Sequence, residues 1–143
     1  MSKYCVIMQG ASGNGKSTLA KILADVLMAV IHSTDELRMV DGRYVLKPEE
    51  TAEKHRLNQE LAECSMQKGH NVIVDNTNVK TWEARPYVQM AQRYGYIVRF
   101  VRCTGEYPNH HGVPSERVEQ MRDGLELLSV ESCLKAKAPW EVK

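Results

Sequence analysis

No apolar run among the 143 residues is long enough to cross a bilayer as a helix. The opening residues MSKYCVIMQG lack the basic region, apolar core and cleavage site of a signal peptide. These absences argue against a membrane-spanning helix and against export, so the expectation is a cytoplasmic protein without a membrane partner. Cysteine is scarce and scattered: Cys5, Cys64, Cys103 and Cys133 show no C-x-x-C spacing, which argues against a zinc framework or a stapled secreted scaffold and for reduced thiols. An excess of one charge is missing too. A formal net charge of +1 excludes a protein that grips long stretches of duplex by charge alone, while a strand end or one exposed base remains possible as a substrate. Internal repeats and low-complexity segments are absent, and the length suits one domain over residues 1–143 with no obligate protein partner in evidence.

What is present begins with GASGNGKST: Gly10, Ala11, Ser12, Gly13, Asn14, Gly15, Lys16, Ser17 and Thr18. The spacing Gly10-x-x-x-x-Gly15-Lys16-Ser17 is the P-loop pattern, in which backbone N–H groups cradle nucleotide phosphates. Lys3 to Met8 reads as a short apolar strand, and Leu19, Ile22, Leu23, Val26 and Leu27 follow at helical spacing. The loop therefore sits between a strand and a helix whose N-terminus faces the phosphates.

Further strands are expected at AVIHS, HNVIVDNTN and YIVRFVR, with a turn or small hairpin at DGRYVLKP. Helices are expected from Pro48 to a C-cap at Gly69, within TWEARPYVQMAQRYG at least from Pro86, and from Pro114 to Leu128 with Val118, Met121, Leu125 and Leu128 on one face. The bound is set at Pro86 because a proline five residues inside a helix is expected to break or kink it. The alternation predicts an α/β fold of the P-loop three-layer type, with about four parallel strands in the order 2-3-1-4 and helices on both faces. Ligands then gather at the C-terminal strand ends.

Four polar clusters occupy those ends. Lys16 suits the β- and γ-phosphates and Ser17 suits Mg²⁺. Asp35 and Arg38, three apart in STDELR, would share a helical face. There a carboxylate can take the proton of an attacking hydroxyl and a guanidinium can clamp the transferring phosphoryl; a capping aspartate with a surface arginine is the plainer alternative. Asp75, ending an apolar strand, is placed to hold a metal through water. Asn76, Thr77 and Asn78 fit either an acceptor site or a turn bonded to its own backbone. His55 and Asn58 fit either an acceptor cleft or a solvated helix face. Tyr87, Met90 and Tyr94 read as core.

GASGNGKST, STDELR, KHRLNQ, VIVDNTNVKTWEARPYVQMAQRYGY and HGVP follow one another from about Tyr4 to Met121. In this the chain resembles the polynucleotide kinase-like P-loop kinases, including bacteriophage polynucleotide kinases, phage 5-hydroxymethyluracil DNA kinases and related kinase-domain proteins. The resemblance implies ATP- and Mg²⁺-dependent phosphorylation of a nucleic-acid hydroxyl, commonly the 5′-OH of DNA or RNA, or else a base hydroxymethyl. It makes Lys16 and Ser17 the phosphate and metal residues, Asp35 the general base and Arg38 the phosphoryl clamp. A small-molecule kinase and a non-catalytic nucleotide-binding module are the other readings. In the short lid at 104–113, proline precedes N-x-HGVP where the family carries arginine, and no Lys or Arg lies between Arg102 and Arg117. Arg117 is therefore expected to replace that charge, ahead of His110 and His111.

Overall fold

The computed structural model describes residues 2–11, 15–103, 116 and 124–141. In chain order its regular elements are β1 (Tyr4–Gln9), α1 (Lys16–Leu27), β2 (Ala29–His32), α2 (Thr34–Leu37), β3 (Met39–Val40), β4 (Arg43–Tyr44), α3 (Thr51–Gln67), β5 (Asn71–Val74), α4 (Thr81–Arg93), β6 (Ile97–Arg102) and α5 (Val130–Lys135). Short 3₁₀ turns cover Pro48–Glu50 and Pro139–Glu141.

Four strands make one parallel sheet in the order β2-β5-β1-β6. Numbered among themselves the parallel strands run 2-3-1-4, as expected. Period-two alternation divides the central strands between the two faces. Cys5, Ile7, Val72 and Val74 pack with α3, α4 and Cys133 of α5, whereas Val6, Met8 and Ile73 pack with α1. Val72, Ile73 and Val74 are fully buried, each contributing about 1.5–3 kcal/mol of apolar transfer. That burial fixes the ends of β1 and β5 side by side, where the polar clusters sit.

The hairpin forms where DGRYVLKP predicted a turn: Asp41 and Gly42 both have positive φ, 51° and 78°, the left-handed pair that a two-residue turn between antiparallel strands requires. Three expectations need correction. The α1 stripe is narrower than predicted, since Leu19, Leu23 and Leu27 pack inward while Ile22 and Val26 are exposed. Helix α4 starts at Thr81 and contains Pro86; so near the N-terminus the proline forfeits only the bond to the Trp82 carbonyl. Residues 124–128 are not helical. There the Glu126 N–H donates to the Val79 carbonyl at 2.8 Å, and its own carbonyl accepts from Gln9 and Arg102. These cross-chain bonds replace the helical ones, and Leu128 reaches the core from an extended segment. Val118 and Met121 lie outside the described residues.

Candidate active site

The loop leaves β1 at Gly10 and re-enters regular structure at Gly15, whose φ of 77° places the cap of α1 in the left-handed region natural to glycine. Gly10 donates to the Thr77 carbonyl at 3.1 Å, and Ala11 is fully buried. Ser12, Gly13 and Asn14 lie outside the described residues. Lys16 is buried at the first position of α1, its Nζ 2.7 Å from Asp75 Oδ1. The Ser17 hydroxyl donates to Asp75 Oδ2 at 3.1 Å, and Thr18 is exposed. The carboxylate compensates an ammonium that burial would otherwise penalise heavily. A hydroxyl and a carboxylate in contact, both hard oxygen donors, fit Mg²⁺, which takes its remaining positions from water and phosphate.

The run Asp75–Asn78 ties the strand ends together. Asn76 Oδ1 accepts from the Thr34 N–H at 2.9 Å, and its Nδ2 donates to the Tyr87 hydroxyl at 3.3 Å. Asn78, with φ of 44°, donates to the Met8 carbonyl at 2.8 Å. Asn58, also buried, donates to the same Tyr87 hydroxyl at 2.9 Å. Burial pushes the Tyr87 phenol above its ordinary value, so its hydroxyl stays protonated and accepts from both amides. For Asn78 the backbone role is the one its bonds express.

Helix α2 begins directly after β2 and carries Asp35 and Arg38. The Arg38 N–H donates to the Asp35 carbonyl at 3.0 Å, so the two stand one turn apart. Arg38 is buried, and its Nη2 donates to Thr51 Oγ1 at 3.3 Å, which engages one donor of its five-donor fork. Opposite, on α3, His55 Nδ1 lies 3.4 Å from Thr34 Oγ1. Burial and then the Arg38 charge lower the His55 pKa, while Asp35 raises it. The imidazole is therefore a neighbour of both charges and favours its neutral form. A cleft of about 520 Å³ opens from here, lined among others by Thr51, His55, Asn76, Tyr87, Trp82 and Trp140.

Lys16, Ser17 and Asp75 thus meet, and Asp35, Arg38, His55 and Asn76 gather at the adjoining strand end. Asn58 stands apart, inside the protein rather than on the cleft wall. Thr77 contributes a carbonyl to the loop start. Arg117, His110 and His111 lie outside the described residues. Sequence reasoning missed Thr51, the bonding role of Tyr87, and the Trp82–Trp140 wall. The only available signal was Trp82, inside the quoted VKTWEARP; nothing near Trp140 marks it.

A 2-3-1-4 parallel sheet whose first strand feeds a glycine loop and a Lys–Ser helix start, with an aspartate from the adjacent strand on both, defines a P-loop kinase-like domain. The AAA domain family (AAA_33) matches residues 5–107, and the chain belongs to it. NEDD4-binding protein 2 of Homo sapiens is 31% identical over 150 residues, a match taking in 96% of this chain and 8% of that protein. Among solved structures, the Pnkp1/Rnl/Hen1 complex aligns with a TM-score of 0.60 at 21% identity over 83% of this chain and 38% of that one. The Mycobacterium tuberculosis APS kinase CysC in complex with AMPPNP and APS gives 0.56 at 20% identity, over 83% and 68%. An unliganded sugar kinase from Janibacter gives 0.59 at 17% identity, over 94% and 91%. These likenesses establish the fold.

Proposed function

We propose that the chain transfers the γ-phosphoryl of ATP to a hydroxyl of nucleic acid, with the polynucleotide 5′-OH as first acceptor. The observation that carries this reading is the grouping of Asp35 and Arg38, one turn apart after β2, with Thr51 and His55 of the wall of a cleft of about 520 Å³: Arg38 bonds to Thr51, and both charges act on His55. Hydrolysis needs no such cleft, whereas an alcohol acceptor needs both a base and a seat. The acceptor oxygen forms its bond to Pγ as the bond from Pγ to the bridging oxygen of ADP breaks, and the hydroxyl proton passes to the Asp35 carboxylate. Residues 10–18 cradle the ATP phosphates, Lys16 offsets charge on the β,γ oxygens and Arg38 clamps the moving phosphoryl. Bound Mg²⁺, held through Ser17 and Asp75, supplies charge neutralisation across the phosphates. His55, Asn76 and Asn78 line the cleft and face the acceptor; Asn58 and Thr77 act behind them by holding the strand ends. Arg117 supplies the charge that the family's lid arginine would bring.

Labelled ATP offered with 5′-OH DNA, 5′-OH RNA, and 5′-phosphorylated DNA containing 5-hydroxymethyluracil tests the reading. Label at the 5′ terminus is expected. Label on the base of the third substrate alone moves the acceptor to the hydroxymethyl. Label passing only to APS or a sugar overturns the nucleic-acid reading.

A further inference from the structure

The far wall of the cleft is aromatic. Trp82 of α4 and Trp140 of the C-terminal turn meet edge to face, with centroids 5.2 Å apart and planes at 77°. Trp140 keeps 74% of its surface exposed, although the turn that carries it is firmly fastened. Arg85 of α4 donates to the Ala136 carbonyl at 2.7 Å and pairs through two nitrogens with Glu141, and the Glu141 carboxylate also accepts from the Ala138 N–H at 3.2 Å. Tryptophan placed only to pack the C-terminal turn onto α4 would bury its indole, because burial is where an indole gains most. Here the ring is presented to water by a braced segment, in a cleft whose lining also includes His55 and Asn76, and the charges of Arg38 and Asp35 act on that His55.

We propose that Trp140, backed by Trp82, is the seat for the nucleobase of the nucleotide whose hydroxyl is phosphorylated. This rests on the nucleic-acid reading above. A base is flat and apolar on its faces, and it stacks on indole whatever its sequence identity. The cleft volume suits a ligand of nucleotide size, and Gln59 on the lining offers both a donor and an acceptor to a base edge. A base seated on the tryptophans leaves the part of the lining with His55, on which the Asp35 charge acts, for its sugar and hydroxyl. Trp140 is thereby a positioning residue for the acceptor and has no part in ATP binding.

The chain contains two tryptophans, both on this wall, so tryptophan emission, excited selectively over tyrosine, reports on the cleft. A 5′-OH oligonucleotide titrated into the protein should quench that emission, and the same oligonucleotide with an abasic 5′-terminal residue should not. Trp140→Ala should raise the acceptor KM about tenfold, hold the ATP KM within a small factor, and leave the KM for the abasic acceptor as in wild type. Trp140→Phe, keeping a stacking face, should restore most of the loss. Equal quenching by intact and abasic oligonucleotides in the wild-type protein overturns the proposal without relying on any variant's folding. Nucleic-acid phosphorylation with an unchanged acceptor KM in Trp140→Ala overturns the base seat and spares the proposed function. Phosphorylation of only a non-nucleic acceptor overturns both.

Discussion

Around Asp75 the polar side chains are buried and bonded from strand to strand: Lys16 to Asp75, Asn76 to the Thr34 turn, Asn78 to Met8. Around Trp140 the polar bonds run instead from α4 to a short C-terminal turn, and the ring itself is open to solvent. In the proposed reading the donor side is built into the sheet, while the acceptor side is assembled from helices and a strap outside it. Phosphate chemistry needs donors fixed in advance at charged oxygens, and the sheet edge gives that fixity. An acceptor has to enter and leave, and a cleft walled by helices and one braced turn suits that need. Asp35 and Arg38 lie one turn apart after β2, with Arg38 bonded to Thr51 of the cleft lining.

If the division is real, damage to the donor side should cost turnover and damage to the acceptor side should cost acceptor affinity. The largest effect is expected from Lys16→Ala, with turnover down by about 10²–10³-fold in a transfer assay. The same change should also lower the thermal midpoint, because it leaves Asp75 buried without its cation; Lys16→Ala with Asp75→Ala should recover part of that stability and none of the turnover. Next is Asp35→Asn, which keeps shape but accepts no proton: turnover falls about 10²-fold and the ATP KM stays within a small factor. A weakened ATP KM with fast transfer would instead assign Asp35 to the donor side.

Tyr87→Phe sharpens the comparison at a smaller scale. It strips the shared partner from the Asn58 and Asn76 amides and should destabilise the fold by about 1–3 kcal/mol in denaturant unfolding. Because Asn76 also holds the Thr34 turn, turnover should fall more than ATP affinity. The smallest effect concerns pH. Burial lowers the pKa of both His32 and His55, so the unfolded chain takes up protons that the folded chain refuses. Stability should therefore be level above about pH 7 and decline as pH falls through about 6.5 toward the lowered folded values. Replacing both histidines with glutamine should make the thermal midpoint fall less steeply over that range.

The donor side was largely legible in the sequence. Val72–Val74 could only be a buried strand, the glycine loop lay between an apolar strand and an amphipathic helix, and Asp75 ended the strand beside it. What stayed hidden depended on partners distant in the chain. Leu125 and Leu128 have helical spacing, yet the Glu126 backbone is engaged by Val79, Gln9 and Arg102, and no local pattern announces that. Asn58 reads as lining an acceptor cleft or a solvated helix face until Tyr87, 29 residues away, is seen to take its amide. The strap carrying Trp140 is fixed by Arg85 across 56 residues. Pro86 misled for a different reason: the rule against proline inside helices weakens near their first turns, where few hydrogen bonds are at stake.

The most direct test of the meeting of the two sides is ADP release, followed with ATP, Mg²⁺ and a single-stranded oligonucleotide that differs only at its end. A 5′-OH terminus should stimulate ADP release in step with label transfer, a 5′-phosphate terminus should not, and Asp35→Asn should abolish the stimulation. ADP release that proceeds equally with either terminus, or without any oligonucleotide, would contradict a phosphotransferase with an acceptor seat.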